Sequence, residues 1–295
     1  MPVPLSKASI AIDSSADRDR GDGVHEVAAD IAYLRLAIVN VAFLGLSGAG
    51  DRGWVLVDAG IPGTKAMITR AAEARFGAGA RPAAILLTHG HFDHVGVLES
   101  LAEEWDAPVF AHPLEHPYLT GTASYPPPDP AVGGGLMSAL SPLFPRSPID
   151  LGLRLNSLEE DGSVPFLPGW RWLPTPGHSV GHVSFWRDAD KALLSGDAFI
   201  TTRQESAYGA ISQAPEMHGP PAYFTVDWDA SRDSVRSLAA LEPELVVTGH
   251  GRAMRGSEMR AALHLLAQDF DSLARPSQGV YLDRPARAAD GTAYL

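Results

Sequence analysis

Apolar residues run along this chain in short bursts, separated by polar or Gly/Pro-rich breaks. Ile31 to Leu46 is rich in Ile, Val, Leu and Phe and predicts two strands. Trp54–Asp58 predicts a buried strand ended by the Ala59-Gly60 turn, and Ala83–Thr88 and Val109–Ala111 predict two more. Helical spacing fills the gaps. Thr64 is expected to cap a helix reaching about Phe76, with Met67, Ala71 and Ala74 on its inner face. A second helix is expected over Asp93–Trp105, with Leu98, Leu101 and Trp105 inward. The second half repeats the theme with strands at Arg171–Pro174, Val183–Trp186 and Ala192–Ser195. The last two form a hairpin around Asp188-Ala189-Asp190. Ser231 then caps a helix with Val235, Leu238 and Leu241 inward, and Leu245–Thr248 is a strand. Ser257 caps a final helix with Met259, Leu263, Leu266 and Phe270 on one face. Strands alternating with helices predict an α/β class, sheets covered by helices.

Two stretches break the pattern. Residues 1–25 are polar and irregular and read as an N-terminal arm ahead of a single domain over 26–295. Residues 121–148 carry seven prolines and a Gly133–Gly135 run, interleaved with Leu136, Met137, Leu140, Leu143 and Phe144. That apolar content predicts a packed loop inserted in the domain, a lid or a dimer contact, with a plain surface excursion as the alternative.

Composition narrows the classes. A chain of 295 residues with 45% apolar and 20% charged residues has a globular balance and enough length for a sizeable core. Lys plus Arg number 23 against 35 Asp plus Glu, so the net charge of −12 argues against nucleic acid as a partner. The absence of cysteine excludes disulfides, thiolate zinc sites and a cysteine nucleophile. No basic, apolar leader opens the chain, and its longest apolar run is interrupted by Arg35 and Asn40. A cytoplasmic protein without membrane attachment is therefore expected.

The chemistry concentrates in Thr88-His89-Gly90-His91-Phe92-Asp93-His94, where three of 11 histidines and an aspartate fall at the end of a predicted strand. Divalent ions of the zinc type favour imidazole nitrogen and carboxylate oxygen. His89 and His91, two apart in extended chain, project to one side, while Asp93 and His94 face a second point, so the window holds ingredients for two ions. Three further fragments end predicted strands or their turns: Pro176-Gly177-His178, Ser195-Gly196-Asp197 and Thr248-Gly249-His250-Gly251. Strand ends on one edge of a layered α/β fold converge, and sites form there.

In order and spacing these fragments resemble the metallo-β-lactamase fold superfamily, whose His-x-His-x-Asp-His motif the chain fits without departure. The resemblance implies a four-layer αββα sandwich of two mixed sheets, with a metal site at one sheet edge. It implies that His89, His91 and His178 bind one divalent ion, that Asp93, His94 and His250 bind a second, and that Asp197 bridges both. Asp93 and Asp197 would be the catalytic carboxylates and Asp58 would steady a ligand histidine from behind. Two divalent ions, zinc first and Mn, Fe or Co also admitted, are the implied cofactor. Tyr118, Tyr208, His112 and His218 are candidates for the substrate pocket, whereas His182 is left out of the ligand set and His25, His116 and His264 are read as structural or exposed.

The function that follows is hydrolysis of a small ester, lactone or thioester by a hydroxide held between two cations, needing no protein nucleophile. The chain is lactonase-like in size and in its Pro-Gly-His turn, and glyoxalase II-like thioester hydrolysis belongs to the same branch. Lactonases commonly carry Tyr three residues after the bridging Asp, where this chain has Ile200. Three alternatives stand beside this reading. One is a mononuclear Fe(II) sulfur dioxygenase using His89, His178 and Asp197. The others are a β-lactam hydrolase and a non-catalytic metal-binding protein. A small-molecule substrate and a homodimer complete the expectations.

Overall fold

The computed structural model describes residues 3–11 and 24–295. In chain order its strands are β1 (Val3–Pro4), β2 (Val24–Ala28), β3 (Ile31–Leu36), β4 (Val39–Leu44), β5 (Val55–Val57), β6 (Ala84–Leu86) and β7 (Val109–Ala111). There follow β8 (Leu155–Ser157), β9 (Trp170–Pro174), β10 (Val183–Arg187), β11 (Ala192–Gly196), β12 (Glu216–Met217), β13 (Leu245–Thr248) and β14 (Met254–Arg255). A seven-stranded sheet runs in sequence order from β2 to β8, antiparallel as far as β5 and parallel from β5 to β8. A five-stranded sheet has the order β14-β13-β11-β10-β9, with a parallel β11–β13 pair between antiparallel neighbours.

Side-chain alternation explains how these sheets stack. On β4 and β5, Val41, Phe43 and Leu56 face the helices Lys65–Phe76 and Leu98–Trp105, joining Ile68, Ala72, Leu98 and Leu101 in one core. Their neighbours Ala42, Leu44, Val55 and Val57 face the other way, against Phe185, Leu194 and Val247 of the second sheet. Beyond that sheet, Leu193 and Val246 pack against Val235 and Leu238 of the helix Trp228–Ala239 and Met259, Leu263 and Leu266 of the helix Gly256–Gln268. The layers are thus helix, sheet, sheet, helix, the mixed α/β sandwich the sequence suggested. No helix among the described residues is long and apolar enough to cross a membrane.

Several local expectations need correction. The helix expected from Asp93 begins at Leu98, and Asp93–Val97 forms turns. Gly96 packs so close to the Ile61–Pro62 loop that an added Cβ would lie 2.4 Å from the Ile61 carbonyl carbon, a tertiary contact within the turn that precedes the helix. On the helix Lys65–Phe76 the buried stripe is Ile68, Ala71, Ala72, Arg75 and Phe76; Met67 and Ala74 are exposed. A buried arginine on the inner face disguised that stripe. Asp227, not Ser231, caps the helix Trp228–Ala239, its carboxylate accepting from Ala230 N–H at 3.0 Å. Phe270 lies in a separate turn after the last long helix, although it is buried with Met259, Leu263 and Leu266 as expected.

The N-terminal arm falls partly outside the described residues. Within them, β1 pairs antiparallel with β12, and Ser6 and Ser9 hydroxyls donate to Glu258. In the 121–148 segment Tyr125, Asp129, Val132, Ser138 and Ser141 are buried, while Leu136, Leu140 and Leu143 face outward.

Candidate metal centre

The parallel pairs decide where the chemistry lies. The C-terminal ends of β5 and β6 share one edge of the first sheet, and those of β11 and β13 share the matching edge of the second. Asp58 follows β5, His89 follows β6, Asp197 follows β11 and His250 follows β13, while His178 sits in the turn joining β9 to β10. All seven candidate ligands and Asp58 are buried.

Their donor atoms converge in three overlapping groups: His89–His91–His178, His89–His94–Asp197 and Asp93–His94–His250, each with ligand atoms within 4.8 Å of one another. His89 and His94 link the groups, and Asp197 lies close to nitrogens of both outer ones. Its Oδ2 lies 3.0 Å from His250 Nε2, 3.4 Å from His178 Nε2 and 3.5 Å from His94 Nε2. Asp93 Oδ2 is 3.6 Å from His250 Nε2, and His91 Nδ1 is 3.0 Å from His178 Nε2.

The outward ring nitrogens are held from behind. His94 Nδ1 bonds Asp58 Oδ2 at 2.8 Å, His178 Nδ1 meets Thr225 Oγ1 at 3.3 Å and His250 Nδ1 bonds the Ile38 carbonyl. Each bond fixes a ring and turns its other nitrogen inward, the arrangement of metal-binding imidazoles. His89 Nε2, His94 Nε2 and Asp197 Oδ1 are buried without a protein hydrogen-bond partner. Buried polar atoms are nearly always satisfied, so unpaired nitrogens and oxygen within one His/Asp cluster fit divalent cations.

Electrostatics divides the cluster in two. Burial, reinforced by neighbouring imidazoles, pushes His89 and His91 well below the ordinary histidine range, and burial takes His178 down to about 4. These three are neutral at pH 7 and ready to donate lone pairs. Burial also opposes a proton on His94 and His250, but Asp197 outweighs it, helped by Asp58 at His94 and by Asp93 at His250, so both are raised. Asp197 is held well below the carboxylate range because His250 and His94 overcome its burial, while burial raises Asp93. Metal uptake at Asp93–His94–His250 should therefore release protons, and uptake at His89–His91–His178 should not. The sign follows: affinity at the former rises with pH until it passes the raised histidine values, then levels. Calorimetric titration in buffers of different ionisation enthalpy measures the release.

Asp58 occupies left-handed backbone (φ 61°), which aspartate tolerates, and its carboxylate is fully used. Oδ1 accepts from Thr88 N–H at 2.9 Å, and Oδ2 from Thr88 O–H and His94 N–H, both at 2.8 Å. An amide there would point its own N–H groups at donors. Asp58→Asn should weaken metal binding by about 10–100-fold, the usual cost of losing such a partner, as read by chelator competition.

The pocket candidates are scattered. Tyr118 is buried, its hydroxyl donating to Ala293 O at 2.7 Å; Tyr208 is 81% exposed; His218 is half-buried, 3.5 Å from Glu205. His112 caps a short turn by accepting from Leu114 N–H at 3.2 Å. The aromatic rings against His91 are instead Phe224 and Tyr125, 4.8 and 4.4 Å away, with Phe92 and Phe144 tilted beside Phe224.

Three supporting residues escaped the sequence reading. His182, between Thr175 Oγ1 at 2.8 Å and Asp197 N–H at 2.9 Å, orients the bridging carboxylate's backbone. Asn40 donates across the sheets to Thr248 O and Gly251 O at 2.8 and 2.7 Å, bracing the His250 loop. Gly249 must lack a side chain, since a Cβ would lie 2.0 Å from Asp197 Oδ1. Of the three, only His182 stood out in the sequence, in the PGHSVGH turn, where it is left out of the ligand set without a supporting role being assigned.

Comparison with known proteins gives consistent matches. The family description "Metallo-beta-lactamase superfamily" fits residues 34–250. The probable metallo-hydrolase YflN of Bacillus subtilis is 46% identical over 248 residues, covering 84% of this chain and 94% of that protein. Among solved structures, a beta-lactamase domain protein from Burkholderia ambifaria has a TM-score of 0.58 at 23% identity, covering 90% of this chain and 80% of that one. An archaeal metallo-beta-lactamase superfamily protein from Sulfolobus tokodaii has a TM-score of 0.54 at 20% identity, covering 80% and 81%.

Proposed function

The chain belongs to the metallo-beta-lactamase superfamily, and on that footing we propose that it is a hydrolase that cleaves a small ester, lactone or thioester with water activated at two divalent ions, zinc in the first instance. The observation that carries this reading is the pair of converging triads joined at Asp197, with unpaired buried donor atoms in both. Two bound cations would supply Lewis acidity, acidifying water towards neutral pH and polarising the substrate carbonyl.

The chain's own residues do the rest. His89, His91 and His178 would hold one ion through neutral nitrogens, Asp93, His94 and His250 would hold the other, and Asp197, within 3.0–3.5 Å of His250, His178 and His94, would serve both. Asp58, Thr225 and the Ile38 carbonyl keep the rings aimed. Phe92, Phe144 and Phe224 form an apolar wall beside His91, suited to the hydrocarbon part of a small acyl substrate. The charge of −12 disfavours nucleic acid as the substrate.

The test is a panel of aryl esters, γ-lactones, acyl thioesters and a chromogenic β-lactam, assayed on zinc-loaded and chelator-stripped protein. Turnover of an ester, lactone or thioester that stripping abolishes and zinc restores is the expected result. Preference for the β-lactam, or turnover indifferent to stripping, would overturn the reading.

A further inference from the structure

Glu115 has no ordinary reason to be where it is. It is fully buried, forms no ion pair among the described residues, and lies just after β7 rather than in any motif recognisable in the sequence. Its carboxylate nonetheless gathers four donors. Oε2 accepts from Gly90 N–H at 3.0 Å, the residue between His89 and His91, and from the Tyr125 hydroxyl. Oε1 accepts from Ser179 O–H and Gly181 N–H, both at 2.8 Å, in the turn that carries His178. The Gly90 N–H is shared with the Tyr125 oxygen at 2.8 Å. Tyr125 is itself clamped by Tyr118, whose ring stacks on it at 3.6 Å. The fit is close: a Cβ on Gly181 would lie 2.8 Å from Glu115 Cγ.

We propose that Glu115 is a positioning residue whose carboxylate pins the His89–His91 turn to the His178 turn and so sets the geometry of one metal triad. This rests on the metal-centre reading above. His91 Nδ1 and His178 Nε2 lie 3.0 Å apart on segments that come from different sheets. When both nitrogens offer lone pairs to a cation, nothing between the two rings draws them together, so the backbone must hold them. A carboxylate suits that task because it is acceptor-only, with room for four donors. Glu115 takes no part in the chemistry itself, since both its oxygens are engaged and enclosed.

The experiment compares Glu115→Gln and Tyr125→Phe with the parent. Zinc affinity is read by chelator competition, the ligand field by cobalt(II) absorption, and the fold by circular dichroism of metal-free protein. A glutamine would turn its N–H groups towards donors. We expect one of two ions to bind about 10–100-fold more weakly in Glu115→Gln, with a shifted cobalt spectrum and an unchanged fold. Tyr125→Phe, which keeps the ring and removes one donor, should weaken the same ion less. A merely structural role would lower thermal stability in both variants while leaving cobalt spectrum and zinc affinity as in the parent, and that result overturns the assignment. If Glu115→Gln fails to fold, Tyr125→Phe alone decides on the same readouts. A parent that takes up no divalent ion would instead overturn the metal-centre reading, and this assignment with it.

Discussion

Asp197→Asn should reduce hydrolysis by about 10³-fold or more and bring the metal content down from two ions per chain. The aspartate is where the two triads meet: its Oδ2 lies between 3.0 and 3.5 Å from the inward nitrogens of His250, His178 and His94. Losing a partner behind a ligand costs about 10–100-fold, and losing one preorganised electrostatic group at a reacting centre about 10²–10³. If the carboxylate serves both ions of the proposed centre, its loss should exceed the first figure and reach the top of the second. In barrier terms 10³-fold is about 4 kcal/mol. The paired measurement is kcat/KM beside elemental analysis on the same sample. Asp197→Asn with parental metal content and activity within about tenfold of the parent would show that the two triads do not share this residue as a functional bridge.

Arg75→Ala should produce the largest loss of stability from a single site remote from the centre, about 3–5 kcal/mol. Arg75 is 2% exposed on the inner face of the helix Lys65–Phe76. Its guanidinium pairs with Glu26, donates to Ala29 O and Gly45 O, both at 3.1 Å, and lies over the Phe76 ring. Truncation strips the buried carbonyls and Glu26 of this cation and opens space beside Phe76, so desolvation and packing costs add. For a chain of this size the melting temperature should fall by roughly 6–10 °C. Because Arg75 touches no candidate ligand, zinc affinity at 25 °C should be unchanged. A fall of less than about 1 kcal/mol in chemical denaturation would mean the pair contributes no more than a surface ion pair does.

The same arginine shows why parts of the fold were hidden in the sequence. A helix whose inner face reads Ile68, Ala71, Ala72, Arg75, Phe76 has a charge in the middle of its stripe, and the apolar count favours the wrong face, through Met67. Its partner Glu26 is 49 positions away, on an edge strand. Strands β3, β4, β5, β6, β7, β9, β10, β11 and β13 were legible because each is a compact apolar burst with turn residues at its ends. The start of the helix at Leu98 was not, because the cause is tertiary: Gly96 lies against the Ile61–Pro62 backbone.

The candidate site divides along similar lines. His89, His91, Asp93 and His94 are neighbours in sequence, and their donor atoms belong to the same clustered groups in space. His178, Asp197 and His250 were readable only as a set, each following a strand. The residues that hold them were silent. Glu115 reaches Gly90 across 25 positions and Gly181 across 66, and Asn40 reaches Thr248 across 208. A lone Glu or Asn carries no periodicity and no motif, and only the fold shows which backbone amides it meets. The aromatic neighbours of His91 outside the histidine cluster, Tyr125 and Phe224, lie on loops whose course no local pattern sets, so the sequence did not single them out.

The most direct test of a two-ion centre is metal content per chain, by elemental analysis of protein purified without chelator or metal-affinity tag, for the parent and for His250→Ala. His250 approaches Asp197 and Asp93 but belongs to no group with His91 or His178. Two divalent ions in the parent, falling to one in the variant, is the expected result. One iron per chain, unaltered by removal of His250, would contradict it and leave a mononuclear centre built on His89, His178 and Asp197.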